Sequence, residues 1–363
     1  MSDISLDDSI CIFEKDTNND VLMTWCFPTI EDSIRNVVLN RSGLKNDSVN
    51  AQFNFSKYKN SWIYLYTISI PAQKDKDESI VIPDTLKKVV LFTICIIRNV
   101  YNPEKYGTLA QIMSNIYLKT GDPSKLLECH LRAVNRGQFD VGALGKFVDA
   151  DYDIRRSYLA TSIKDIIKLF DEQSILIWNA MMLKKRIVIY SDKISPLLKV
   201  IRGFPLFVFH RQNWSLLRPY VTVDEDEIKE LVNNGVYVAG FTDPSIKSRE
   251  DLYDLLVDLP SKEITVASHA KDQFLLSSIH KDILKLLLTS IDEEVEEPMS
   301  DQAVMKALTI KVKELLVKLE SLKVEGDDGK SMVTLKSLQE RKLPPGMDTF
   351  LFNVANVEGL NNQ

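Results

Sequence analysis

The chain has 363 residues, room for two or three domains, and its 45% hydrophobic and 26% charged residues are those of an ordinary globular protein. A net charge of −6 and an isoelectric point near 5.5 argue against nucleic acid as a partner, because such footprints are usually basic. The longest apolar run, VVLFTICII at 89–97, is too short to span a bilayer.

The first part reads as a small α/β domain. SICIFEKD and DVLMTWCFP are strand-like runs around a polar turn, Asp16–Asp20. IEDSIRNVVLNRSG then has helical spacing, with Ile30, Ile34, Val37 and Val38 on one face and Gly43 as the stop. VNAQFNFSKYK, SWIYLYTISIP and KKVVLFTICIIR supply three more strands, with the charged loop QKDKDES at 73–79 between the last two. Two punctuated helices follow: Asn102-Pro103 opens one and Gly121 ends it, then Asp122-Pro123 opens the other and Gly137 ends it. The order β-β-α-β-β-β-α-α is that of a longin-like domain, an antiparallel sheet plus helices, over 1–137. The middle helix is expected on one sheet face and the last pair on the other. GQFDVGALGKFVDAD is aperiodic, and 138–151 reads as a linker.

A second α/β unit is expected over 152–267. SYLATSIKDIIKLF and SILIWNAMMLKK are helical, RIVIYS is a buried strand, ISPLLKVIRG is helical, and FPLFVF is a strand. DEDEIKELVNNG is a helix with Asp224 and Glu227 at capping-box spacing and Gly235 after its end. VYVAGF and part of DLYDLLVDL complete a mostly parallel sheet.

The remainder, 268–357, reads as a helical subdomain interrupted by the acidic DEEVEEP. Its second helix sets Met305, Leu308, Val312, Leu315, Leu319 and Leu322 at alternating spacings of three and four. This seam is shorter than the three or four heptads of a dedicated coiled coil, so internal packing is favoured over a partner helix. EGDDGKSMVTL at 325–335 ends in Gly-Lys-Ser like a phosphate-binding loop. Only two residues separate Gly326 from Gly329, where that motif needs four, and both are aspartates that repel phosphate. A polar turn is the better reading, and no nucleotide site is expected on this chain.

No catalytic or metal-binding constellation emerges, and no cofactor is implied. The four histidines, His130, His210, His269 and His280, are scattered, and the nucleophile, zinc and dinucleotide motifs are absent. Asp149, Asp151 and Asp153 alternate but lack the glycine and distal glutamate of a calcium loop. Cys11, Cys26, Cys95 and Cys129 stand far apart in apolar surroundings, as reduced core residues of a cytosolic protein would. The acidic start MSDISLDD is not a secretory signal, and neither terminus carries a lipidation motif. A cytoplasmic protein that meets membranes only through partners is therefore expected. Lys184-Lys185-Arg186 sits where cations complement a helix C-terminus. HRQNWSLLRPY at 210–220 combines Arg, Trp and Tyr, the residue types that dominate interfaces. The competing reading tucks Trp214 and the leucines into the core.

The middle of the chain resembles the DENN domain, on SILIWNAMMLKKRIVIYSDKISPLLKVIRGFPLFVFHRQNWSLLRPYV (174–221) and VYVAGF (236–241). The likeness extends to the whole chain as upstream, central and downstream DENN parts. Two positions depart from many relatives: Lys185 stands where an acidic residue precedes the strand arginine, and Val236 stands where proline precedes Tyr237. The resemblance implies a guanine-nucleotide exchange factor for a Rab-family GTPase, recruited to late endosomes, with Arg211, Gln212, Asn213 and Trp214 as candidate GTPase contacts. A non-catalytic scaffold, its Met305–Leu322 seam against coiled-coil subunits of an endosomal sorting complex, is the alternative. A GTPase-activating subunit would need Arg155 or Arg156 as a finger.

Overall fold

The computed structural model describes residues 8–45, 51–71, 82–292, 294, 298–325, 331–344 and 346–361. It is a mixed α/β protein whose chain divides into two compact units, neither contiguous in sequence. The first takes the described residues up to Ala160 together with Lys193–Leu198 and Arg218–Glu230. The second takes Thr161–Asp192, Lys199–Leu217 and the described residues from Leu231 onward.

In the first unit, β1 (Ser9–Asp16) and β2 (Val21–Phe27) lead into α1 (Asp32–Arg41), and β3 (Phe53–Tyr58), β4 (Ser61–Ser69) and β5 (Val89–Arg98) follow. The strands form one antiparallel sheet in the order β2-β1-β5-β4-β3. Side chains alternate between its faces. One face packs Cys11, Phe13, Ile63, Leu65 and Cys95 with Val37 and Val38 of α1. The other meets α2 (Pro103–Thr120), with Tyr64 on Tyr106 at 4.8 Å and Phe92 edge-on to Tyr117 at 5.2 Å. The proline and glycine punctuation acts as its chemistry demands. The Asn102 side chain accepts from the Lys105 N–H at 3.1 Å, and Gly121 closes the helix with φ 59°. Asp122 caps α3 (Pro123–Arg136) in the same way.

Residues 138–151, read as a linker, carry structure of their own. They hold a short hairpin of β6 (Gln138–Asp140) and β7 (Lys146–Val148), closed by Phe139 stacked on Phe147 at 5.6 Å. Three-residue strands are too short to display alternation, so the sequence hides them.

The second unit begins after α4 (Ile154–Tyr158), with α5 (Ile163–Phe170) and α6 (Ser174–Met182). SYLATSIKDIIKLF is therefore two elements rather than one helix, because the Ser162 side chain accepts from the Asp165 N–H and starts α5 afresh. In chain order there follow β8 (Ile187–Tyr190), α7 (Ile194–Ile201), β9 (Leu217–Arg218), α8 (Glu225–Asn233), β10 (Val238–Phe241), β11 (Leu255–Asp258) and β12 (Glu263–Val266), of which most of α7 and α8 belongs to the first unit. The sheet order is β12-β11-β8-β10-β9. Strands β10 and β11 run parallel to β8, and β12 is an antiparallel edge. FPLFVF is not a strand: Phe204–Arg211 winds as tight helical turns opened by Gly203 and Pro205. A fully buried apolar run reads alike as strand or buried helix, and Pro205 at the start decides it.

The C-terminal part contains α9 (Ser278–Ile291), α10 (Asp301–Glu320), a hairpin of β13 (Val324–Glu325) and β14 (Ser331–Met332), α11 (Leu335–Glu340) and α12 (Met347–Val357). It is thus not wholly helical. Gly326, Asp327, Asp328, Gly329 and Lys330 lie outside the described residues. Ser331, however, enters an antiparallel strand, whereas a phosphate loop opens a helix. Among the described residues no helix is long and apolar enough to cross a membrane.

Candidate functional site

The loop after Phe204–Arg211 is where sequence reasoning put a partner surface, and its four residues divide into two pairs. Arg211 turns inward. Its Nη1 donates to the Met181 carbonyl at 2.6 Å and its Nη2 to the Met182 carbonyl at 2.7 Å. These are among the last carbonyls of α6, at the negative end of the helix dipole. Its Nε donates to Glu358 Oε1 at 3.0 Å, just past α12, and Nη2 makes a second, shorter contact to the same oxygen. His210 Nε2 lies 3.5 Å from that oxygen. Burial opposes the charge on Glu358, but the nearby His210 and the hydrogen-bonded Arg211 guanidinium outweigh it and hold the carboxyl at about 2.

Trp214 also points inward, 3% exposed and edge-on to Phe209 at 6.2 Å. Gln212 and Asn213 face solvent. Gln212 adopts the left-handed conformation, φ 46°, and the Asn213 side-chain Oδ1 accepts from the Ser215 N–H at 2.9 Å in a local turn. The loop is thus an exposed polar tip on a pinned base. Arg211 and Trp214, expected among the contacts, turn inward at its base.

The other candidate groups are accounted for by structure. In the basic run, Lys184 Nζ donates to the Val357 carbonyl at 3.0 Å, and Arg186 grips Asp254 through Nη2 at 2.8 Å and through its backbone N–H. Arg155 is clasped by Asp153 at 2.8 Å with its side chain 82% exposed. Asp149 pairs with Lys105 at 2.5 Å. Among the described residues no group of acidic, histidine or cysteine side chains is arranged to hold a metal. An open depression of about 490 Å³ lies beside these aspartates, lined by Arg136, Gln138, Tyr152 and Asp153 among others.

The α10 seam is internal. Met305, Leu308, Val312, Leu315, Leu319 and Leu322 are all buried, packed against the turns at 204–211 and against α5, α9 and α12. The capping-box spacing of α8 is only half realised: Asp224 accepts from the Asp226 N–H, while the Glu227 carboxylate is committed to Arg41.

Sequence reasoning missed one polar constellation. Ser277 Oγ and His280 Nδ1 lie 3.0 Å apart, and His280 Nε2 is 3.2 Å from Asn179 Oδ1. This imitates a catalytic Ser-His-Asn set, but Ser277 and His280 are 3% and 1% exposed, so no substrate reaches them. They form a capping box for α9, with histidine in the usual glutamate position. The S-x-x-H spacing before an apolar run was the available signal. Burial pushes His280 down to about 4, so it stays neutral.

Comparison with known proteins identifies relatives of the whole chain. Residues 44–202 match the family model Transport protein Avl9, and residues 160–268 match Stabilization of polarity axis. A relative from Dictyostelium discoideum, DENN domain-containing protein 10, is 63% identical over 364 residues, covering 99% of both chains. The chain belongs to the DENN-domain family. Its particular relatives carry one name across distant organisms: DENN domain-containing protein 10 of Danio rerio is 36% identical over 97% of each chain. That of Homo sapiens is 34% identical over 99% of this chain and 97% of its own.

Proposed function

We propose that this protein is a guanine-nucleotide exchange factor for a Rab-family GTPase in late endocytic trafficking. The observation that carries the reading is the end-to-end match to DENN-domain relatives. An exchange factor breaks no covalent bond. It binds the GTPase better without its nucleotide than with it, and by linkage lowers nucleotide affinity by the same factor. It does so by moving the switch segments and magnesium that hold the phosphates, so the nucleotide belongs to the partner. Such work needs polar groups held on a rigid base. Gln212 and Asn213 meet that requirement, with Arg211 and Trp214 as positioning residues. The protein acts from the cytoplasm and reaches late endosomes through partners. The test is release of fluorescent GDP from a panel of purified Rabs with and without the full chain.

The scaffold alternative is weakened by burial of the Met305–Leu322 seam and keeps one other apolar surface. Ile310 and Val317 are 46% and 71% exposed on the outer face of α10, opposite the buried seam. Binding to a sorting assembly without faster GDP release would select that reading.

A further inference from the structure

Cys11, Cys26 and Cys95 occupy matching positions on three neighbouring strands. The register pairs Cys11 with Cys26 on β2 and with Cys95 on β5. Residues that stand far apart in the sequence therefore form a row of thiols across the sheet. Directly opposed residues on antiparallel strands have Cα separations of about 4.5–5.5 Å, inside the ~4.4–6.8 Å that a disulfide bridges. Their side chains leave the same sheet face, and the Sγ atoms of Cys11 and Cys26 lie 2.8 Å apart. Access distinguishes the possible pairs. Cys11 and Cys95 are fully buried, whereas Cys26 is half-buried on β2, the edge strand. All three are free thiols.

We propose that Cys11 and Cys26 form a reversible modification site, converted to an intramolecular disulfide by a small-molecule disulfide of the oxidised-glutathione class. Cys26 gives up its proton, and its sulfur attacks one sulfur of the oxidant. The oxidant's S–S bond breaks, and the departing thiolate takes up a proton. Cys11 then gives up its proton and attacks the Cys26 sulfur, expelling the second small thiol, which is protonated in turn. The two cysteines are oxidised to one S–S bond, and the oxidant is reduced to two thiols. The second step is intramolecular and already aligned. The first is slow, because the hydrogen bond with Cys11 and burial push the Cys26 thiol well up, leaving little thiolate. The pair therefore stays reduced until the oxidant is plentiful. Closure ties the edge strand β2 covalently to β1 across a separation of 15 residues.

The test uses the full chain incubated with oxidised glutathione or with dithiothreitol. Free thiols are then alkylated under denaturing conditions and the peptides mapped by mass spectrometry. The expected result is two fewer alkylated cysteines, a peptide joining positions 11 and 26, and no retained glutathione. The melting midpoint should rise by roughly a few degrees and fall back on reduction. Cys26→Ser should lose the cross-link and the shift, and Cys95→Ser should keep both. Four alkylated cysteines after oxidation, glutathione retained on Cys26, a link from Cys11 to Cys95, or a link between two copies would each overturn the proposal. The wild-type peptide map decides among these outcomes even if a variant does not fold.

Discussion

The Arg41 guanidinium and the Glu227 carboxylate, 186 positions apart in sequence, form an ion pair at 2.7 Å with both side chains 1% exposed. Arg41 Nε donates to the same oxygen at 3.0 Å, which also accepts from the Thr222 N–H. This contact secures the segment Arg218–Glu230 within the first unit. Breaking a buried pair by removing one partner strands the other charge in an apolar setting, at a cost of about 3–5 kcal/mol. Glu227→Gln and Arg41→Met should each lower stability by that amount in chemical denaturation. The double variant Arg41→Met with Glu227→Leu should recover much of the loss. Single and double variants with equal losses would contradict this account.

The Arg211–Glu358 contact gives the second unit a pH signature. Glu358 sits at about 2 in the folded chain against an ordinary 4.5. A carboxyl depressed on folding contributes stability that is complete above its unfolded value and lost as pH falls through its folded value. Glu358→Gln should therefore cost about 2–3 kcal/mol near neutral pH. The gap from wild type should close as pH falls from 4.5 towards 2. Denaturant midpoints for both proteins across that window check it, and a gap independent of pH would contradict it.

The two faces of α10 should respond differently. Leu308 is 1% exposed and Val317 is 71% exposed. Leu308→Ala should cost about 2–5 kcal/mol, and Val317→Lys should stay within about 0.5 kcal/mol. Thermal melts of the two variants distinguish an internal seam from an external one.

At Gly121 the limit is both conformation and space. Its φ of 59° is disfavoured for other residues, and an added Cβ would lie 2.0 Å from Thr85 Oγ1. Gly121→Ala should cost roughly 2–4 kcal/mol. Adding Thr85→Ser, which keeps the hydroxyl, should not relieve the loss, whereas Thr85→Gly should recover part of it.

Strands β1 to β5 were legible as short runs of β-branched and aromatic residues bounded by turn residues, and α2 and α3 because proline and glycine mark their ends. FPLFVF looks the same in sequence as those strands, and only Pro205 near its start marks it as helical turns. The hairpin at 138–151 was hidden because its strands are three residues each, too short for a pattern, with Phe139 and Phe147 stacked across them. The loop at 211–214 was recognisable as unusual, but the direction of Arg211 was not. Its carboxylate partner lies 147 positions away, and no local pattern announces it. The same holds for the cysteine row, which exists only once strand register is known. Of the four candidate residues in that loop, only Gln212 and Asn213 are exposed.

The most direct measurement is GDP release from a Rab panel with the wild-type chain and with Gln212→Ala/Asn213→Ala, a variant expected to melt like wild type. The account predicts faster release from one or a few Rabs, reduced at least tenfold by the double substitution, equivalent to a loss of about 1.4 kcal/mol in transition-state stabilisation. Unaccelerated release across the panel would contradict the exchange function, and acceleration unchanged by the double substitution would contradict its placement on this loop.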